Sequence, residues 1–138
     1  MSDFPITIYH NPACGTSRNA LAMVEAAGYR PIVIEYLKTG WTQGLLTQLL
    51  TAMNARPRDI LREKGTPAAE LGLLDDNVAD ERILAAMLEH PLLVNRPIVV
   101  TPNGTKLCRP SEAVLDLLER LPDSFTKEDG EVIHFPTT

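Results

Sequence analysis

The chain has 138 residues, 44% of them hydrophobic and 22% charged, with a formal net charge of −5. That is the length of one ordinary domain with a single core, and no apolar run approaches the ~18 residues that a bilayer span needs. The acidic balance and the lack of a long like-charge block argue against nucleic-acid and membrane-surface partners, so an anionic ligand would have to be captured by a few placed arginines or backbone amides.

The start, Met1-Ser2-Asp3-Phe4-Pro5, has neither a basic n-region nor an apolar h-region. The expectation is a cytoplasmic protein whose two cysteines are thiols. Ile6 and Ile8 alternate with Thr7 and Tyr9 as a short strand, closed by Asn11-Pro12. Thr16 or Ser17 then reads as a helix cap, with Leu21, Val24 and Ala27 on one face and Gly28 as the stop. Residues 31–36, PIVIEY, read as a second, largely buried strand, parallel to the first through a right-handed crossover.

Residues 42–90 carry only helical patterns, among them Leu45, Leu46, Leu49, Leu50 and Met53, then Ile83, Leu84, Met87 and Leu88. RPIVVTPNGTKLCRP, residues 96–110, places two strand-like runs around Asn103-Gly104, which predicts an antiparallel hairpin. A last helix opens at Ser111 with Val114, Leu117, Leu118 and Leu121 inward, and residues 122–138 read as a polar tail. The order gives an α/β chain of thioredoxin type: one domain over residues 1–138, a mixed four-stranded sheet, and a helical insertion between strands two and three.

Chemistry concentrates at HNPACGTS, residues 10–17. Cys14 lies between a strand end and a helix start, where free backbone N–H groups and the helix dipole favour a thiolate. A free thiol of pKa about 8.5 is ~3% ionised at pH 7, whereas one near 6.5 would be about 75% ionised. A small buried cysteine filling a turn is the bland alternative, and a polar turn suits it poorly. Ser17 stands where a C-x-x-C pair would have its second thiol, so an outside thiol must regenerate Cys14. The C-x5-R loop of a phosphatase is excluded, because the sixth residue after Cys14 is Ala20 and Arg18 comes too early.

His10, four residues before Cys14, is placed to influence the thiol's charge or proton supply, or is an ordinary loop histidine. His10, Cys14 and Cys108 lack zinc-ligand spacing, and no metal is expected. Cys108 alternates with Arg109 on the fourth strand, so if Arg109 faces the site, Cys108 faces the core. Arg96 precedes Pro97 in a loop that a thioredoxin-type fold sets beside the cysteine turn. Arg62, in DILREK, carries no signal of its own.

The strings ITIYHNPACGTSRN, RPIVVTPNGTKLCRPSE and FTKEDGE resemble the glutaredoxin-coupled arsenate reductases of the thioredoxin superfamily over about residues 5–133. DILREK and LGLLDDN fall where similar family segments fall, while the ending VIHFPTT departs from the family's more basic endings. The resemblance implies an oxidoreductase with Cys14 as nucleophile, Arg62, Arg96 and Arg109 holding the arsenate oxyanion and the thiolate, and His10 assisting. It also implies glutathione as co-substrate, glutaredoxin as partner and no bound cofactor; a monomer is the expected state. Three alternatives differ in substrate or class: a related reductase acting on another substrate, a deglutathionylating oxidoreductase, and a redox-responsive regulator that binds RNA polymerase. Ser17 counts against the regulator, which typically switches through a C-x-x-C pair, and three arginines around the thiol count against the deglutathionylating enzyme.

Overall fold

The computed structural model describes residues 4–121 and 124–134. Its contacts gather into two units, one of residues up to Glu35 with those from Arg96 onward, the other Tyr36–Asn95.

The first unit is built on a four-stranded sheet of β1 (Thr7–His10), β2 (Ile32–Glu35), β3 (Ile98–Thr101) and β4 (Gly104–Leu107), in the order β2-β1-β3-β4. β1 runs parallel to β2 and antiparallel to β3, and β3 antiparallel to β4. This is the mixed sheet expected of a thioredoxin-type chain. The Pro102-Asn103 turn is closed by a Thr101–Gly104 pair, with Gly104 at φ 147°, a conformation that favours glycine. β2 departs from the sequence reading: it is the sheet's edge, and Ile32 and Val33 are 62% and 41% exposed. An apolar run alone does not tell an edge strand from a central one.

Helix α1 (Gly15–Ala26) buries Ser17, Ala20, Met23 and Val24. Ala20, Met23 and Val24 pack with Ile6, Ile8, Val99, Cys108, Val114 and Leu117 in one apolar cluster. Gly28 ends the helix at φ 95°, its N–H bonded to Glu25 O. The N-cap is Cys14, not Thr16 or Ser17. The Ser17 hydroxyl is engaged elsewhere, accepting from the Asn11 N–H and bonding His10.

The last helix is a 3-10 segment, Ser111–Leu117, with Val114 and Leu117 buried. The chain turns extended at Leu118, so Leu121 leaves the inner face and is 44% exposed. The expected polar tail instead holds a small antiparallel hairpin, β5 (Ser124–Thr126) and β6 (Val132–His134), whose Phe125 and Ile133 pack against the core cluster. Residues 122, 123 and 135–138 lie outside the described residues.

The second unit contains α2 (Tyr36–Thr39), α3 (Gln43–Met53) and α4 (Asp80–Glu89), with 3-10 turns at Pro57–Ile60 and Pro91–Leu93. Tyr36, expected at the end of the second strand, begins α2, and its hydroxyl donates to Val94 O at 2.8 Å. The Thr42 hydroxyl accepts from the Leu45 N–H to cap α3, and Asn54 closes it at φ 53°. Leu46, Leu49 and Leu50 of α3 and Ile83 and Met87 of α4 are buried, as their helical spacing predicts. Between the two helices, residues 61–79 hold turns and loops and no α-helix.

Candidate active site

Cys14, His10, Arg96 and Arg109 all belong to the first unit, around the start of α1. The Cys14 backbone is extended, with φ −100° and ψ 121°, and its N–H donates to Asn11 O at 3.0 Å while the Asn11 side-chain oxygen accepts from Ala13 N–H at 2.9 Å. These bonds close the Asn11–Cys14 turn and leave the thiol where β1 hands over to α1. The cysteine side chain makes no capping bond of ordinary geometry, yet the Ser17 backbone N–H lies close enough to its sulfur to favour the ionised form.

Two effects oppose each other at this thiol. Burial, the largest single influence, raises its pKa. The Ser17 N–H, hydrogen bonding from the Arg96 and Arg109 side chains and the Arg96 charge together outweigh burial and bring the thiol down from 9.0 to about 7. Arg109 Nη1 sits 3.8 Å from Cys14 Sγ and donates to the Arg96 carbonyl at 2.8 Å, which fixes the guanidinium against the sulfur. Arg96 is only 7% exposed. A thiol that is about half ionised at neutral pH beside two guanidinium groups can bind a tetrahedral oxyanion and attack its central atom.

His10 ends β1, where it pairs in register with Glu35, and is 5% exposed. Its Nδ1 lies 2.6 Å from the hydroxyl of Ser17, itself fully buried. Burial lowers the histidine pKa more than Glu35 raises it, and Arg18 lowers it further. The ring is therefore neutral at pH 7, and it ties the end of β1 to the first turn of α1. Ser17 is thus more than the residue that replaces a second thiol. The sequence signal was its place one turn into the helix, seven residues after His10.

Cys108 behaves as its alternation with Arg109 predicts: it is fully buried in the apolar cluster, and burial pushes its thiol up to about 12. Arg62 belongs to the second unit, where its Nε donates to Lys64 O at 3.1 Å and its Nη1 to Asn95 Oδ1 at 3.2 Å. A cavity of about 490 Å³ lies in that unit between the end of α3 and the start of α4, far in sequence from any cysteine and lined by Leu50, Thr51, Arg56 and Asp80 among others. Among the described residues, no group of three or more His, Cys, Asp or Glu side chains could hold a metal, and no helix is long and apolar enough to cross a membrane.

This geometry sets a pH profile. Alkylation by iodoacetamide should rise between pH 6 and 8 with a midpoint of about 7 at Cys14, because only the thiolate attacks. Cys108 should stay unlabelled until the protein is denatured. Peptide mapping of the labelled cysteines checks both.

The chain is similar to known proteins over most of its length. The ArsC family model matches residues 9–117. The arsenate reductase ArsI1 of Synechocystis sp. is 59% identical over 134 residues, spanning 96% of this chain and 93% of that protein. An arsenate reductase of Escherichia coli K12 is 52% identical over 129 residues, spanning 93% and 92%. Among solved structures, an arsenate reductase from Vibrio cholerae superposes with a TM-score of 0.79 at 39% identity, covering 85% of this chain and 100% of that one.

Proposed function

The chain belongs to the ArsC family, within the thioredoxin-like superfamily, and on that premise we propose that it is an arsenate reductase that takes its electrons from glutathione. The observation that carries the proposal is the Cys14 thiol, drawn down to about 7 at the start of α1 with Arg109 Nη1 3.8 Å from its sulfur.

In the proposed cycle, Arg96 and Arg109 hold the arsenate oxygens, and Arg62 joins them on the strength of the family resemblance of DILREK. The Cys14 thiolate attacks arsenic(V), a sulfur–arsenic bond forms, and one arsenate oxygen leaves as water after protonation. Neutral His10 keeps the loop in register through Ser17 and stands ready to exchange a proton. A glutathione thiolate then attacks the Cys14 sulfur. The new disulfide forms as the sulfur–arsenic electron pair passes to arsenic, which falls from V to III and departs as arsenous acid. Glutaredoxin attacks the glutathione sulfur and returns Cys14 to the thiol. The sum is one arsenate and two thiols converted to one arsenite, one disulfide and water, with no bound cofactor required. Such a cycle belongs in a reducing compartment such as the cytoplasm.

Ser17 in place of a second cysteine supports an external reductant, because no thiol follows Cys14 within the first turn of α1. The test is arsenate-dependent NADPH oxidation with glutathione, glutaredoxin and glutathione reductase, each omitted in turn. Loss of turnover on omission of glutathione or glutaredoxin is expected. Turnover sustained without either would refute the proposed electron route, and no turnover in the complete mixture would point to a different substrate for the same anion site.

A further inference from the structure

The hairpin in the C-terminal segment touches both halves of the site's frame. At its tip, Glu128 forms a paired bond with Arg18, Oε2 to Nε at 2.7 Å and Oε1 to Nη2 at 2.9 Å, while the Glu128 N–H donates to Asn19 Oδ1 at 3.1 Å. Arg18 in turn donates through Nη1 to Pro12 O at 2.8 Å and through its backbone N–H to Cys14 O at 2.9 Å. The pair lies over the first residue of α1, since a Cβ on Gly15 would stand 3.6 Å from Arg18 Nη2 and 3.7 Å from Glu128 Oε1. One residue earlier, Lys127 Nζ reaches Glu112 at 2.9 Å and Glu131 at 3.0 Å. Glu112 sits three residues after Arg109 and also accepts from the Ser111 hydroxyl.

Lys127 is not a solvated surface lysine: its side chain is 13% exposed, against 43% to 48% for Arg18 and Glu128. Phe125 and Ile133 root the hairpin in the core, so the tip is held in place rather than dangling. Two adjacent residues of opposite charge therefore grip two segments about ninety residues apart, the turn that carries Cys14 and the segment that follows Arg109.

We propose that the β5–β6 tip is a positioning element for the site, in which Lys127 and Glu128 clamp these two segments so that the Arg109 guanidinium stays against the Cys14 sulfur. The inference rests on Cys14 as the reactive thiol, but its test needs no arsenate, so its failure is distinct from failure of the proposed reaction. The charged and titratable groups near Cys14 include Arg96, Arg109 and Arg18 on the positive side, Glu128 on the negative side, and neutral His10.

Changing one charge would move the thiol by charge alone, so the informative variants delete a pair. Glu112→Gln/Lys127→Met and Arg18→Met/Glu128→Gln each leave the net charge unchanged and keep Phe125 and Ile133 in place. The readouts are thiolate absorbance against pH, near-ultraviolet dichroism and Tm, on the full chain. Each double variant is expected to raise the Cys14 pKa by about half a unit, about threefold less thiolate at pH 6, with a small loss in Tm for the half-exposed Arg18–Glu128 pair and a larger one for the more enclosed Lys127–Glu112 pair. Lys127→Arg should keep the wild-type titration. Folded double variants that titrate like the wild type would show that the hairpin only packs, and the proposal would fall.

Discussion

Cys14→Ser abolishes arsenate reduction, and Cys108→Ser leaves most of it: that pair of results is expected in the coupled assay. A serine hydroxyl is not ionised near neutrality and cannot form a sulfur–arsenic or sulfur–sulfur bond, so the loss should be on the order of a thousandfold or more in kcat/KM. Cys108 is fully buried with its thiol pushed up to about 12, which removes it from thiol chemistry at pH 7. Its replacement leaves the Cys14 geometry intact and touches stability alone: a hydroxyl inside an apolar cluster costs about 1–3 kcal/mol unless it finds a partner. The Cys108 thiol reaches Lys106 O at 3.7 Å, a length that suits sulfur and is too long for a hydroxyl, so this cost is expected in Tm. Equal loss of activity in the two variants, both folded, would overturn the one-thiol reading.

The second large effect is expected at Arg96 and Arg109, and it follows from the change of charge between substrate and product. Arsenate is anionic at neutral pH, whereas arsenous acid is essentially uncharged. Guanidinium groups therefore hold the substrate and release the product, and their planar donors match two oxygens of a tetrahedral anion in a way that a lysine ammonium does not. The same two groups support the Cys14 thiolate. Arg109→Ala should raise the thiol by about one unit and weaken arsenate capture together. Arg109→Lys should separate the effects, keeping much of the lowered pKa while losing ~10-fold or more in kcat/KM, about 1.4 kcal/mol. Thiolate absorbance against pH and steady-state rates against arsenate give the two quantities. Alanine variants that match the wild type in both, while folded, would make these arginines bystanders.

Much of this frame was legible in the sequence because its signals are local. The β1–α1 junction, the β3–β4 hairpin, whose turn falls one residue earlier than Asn103-Gly104, and the inward turn of Cys108 each follow from period-two alternation or turn chemistry within a few residues. The burial of β2 was not legible, since whether an apolar strand lies at an edge is decided by its neighbours. The helix cap was misplaced by two or three residues because the Ser17 hydroxyl serves His10 and the Asn11 N–H instead. The tail hid a hairpin because strands of three residues are too short to show a period, and only Phe125 and Ile133 mark it as more than polar. Arg18–Glu128 is the clearest case of what local reading misses: the partners stand 110 residues apart and meet only through the fold. Arg62 never rose above an ordinary surface charge on its own pattern, and its assignment to the oxyanion still rests on family resemblance.

The central claim is that a single thiol, Cys14, carries the reaction and is regenerated from outside. Intact-mass and peptide analysis of the protein quenched after one turnover with arsenate and glutathione, with glutaredoxin left out, tests it most directly. One glutathione per chain, on the peptide containing Cys14 and with Cys108 still a free thiol, is the result that this mechanism requires. A Cys14–Cys108 disulfide as the main species would contradict it, because Cys108 would then be a resolving thiol inside the chain.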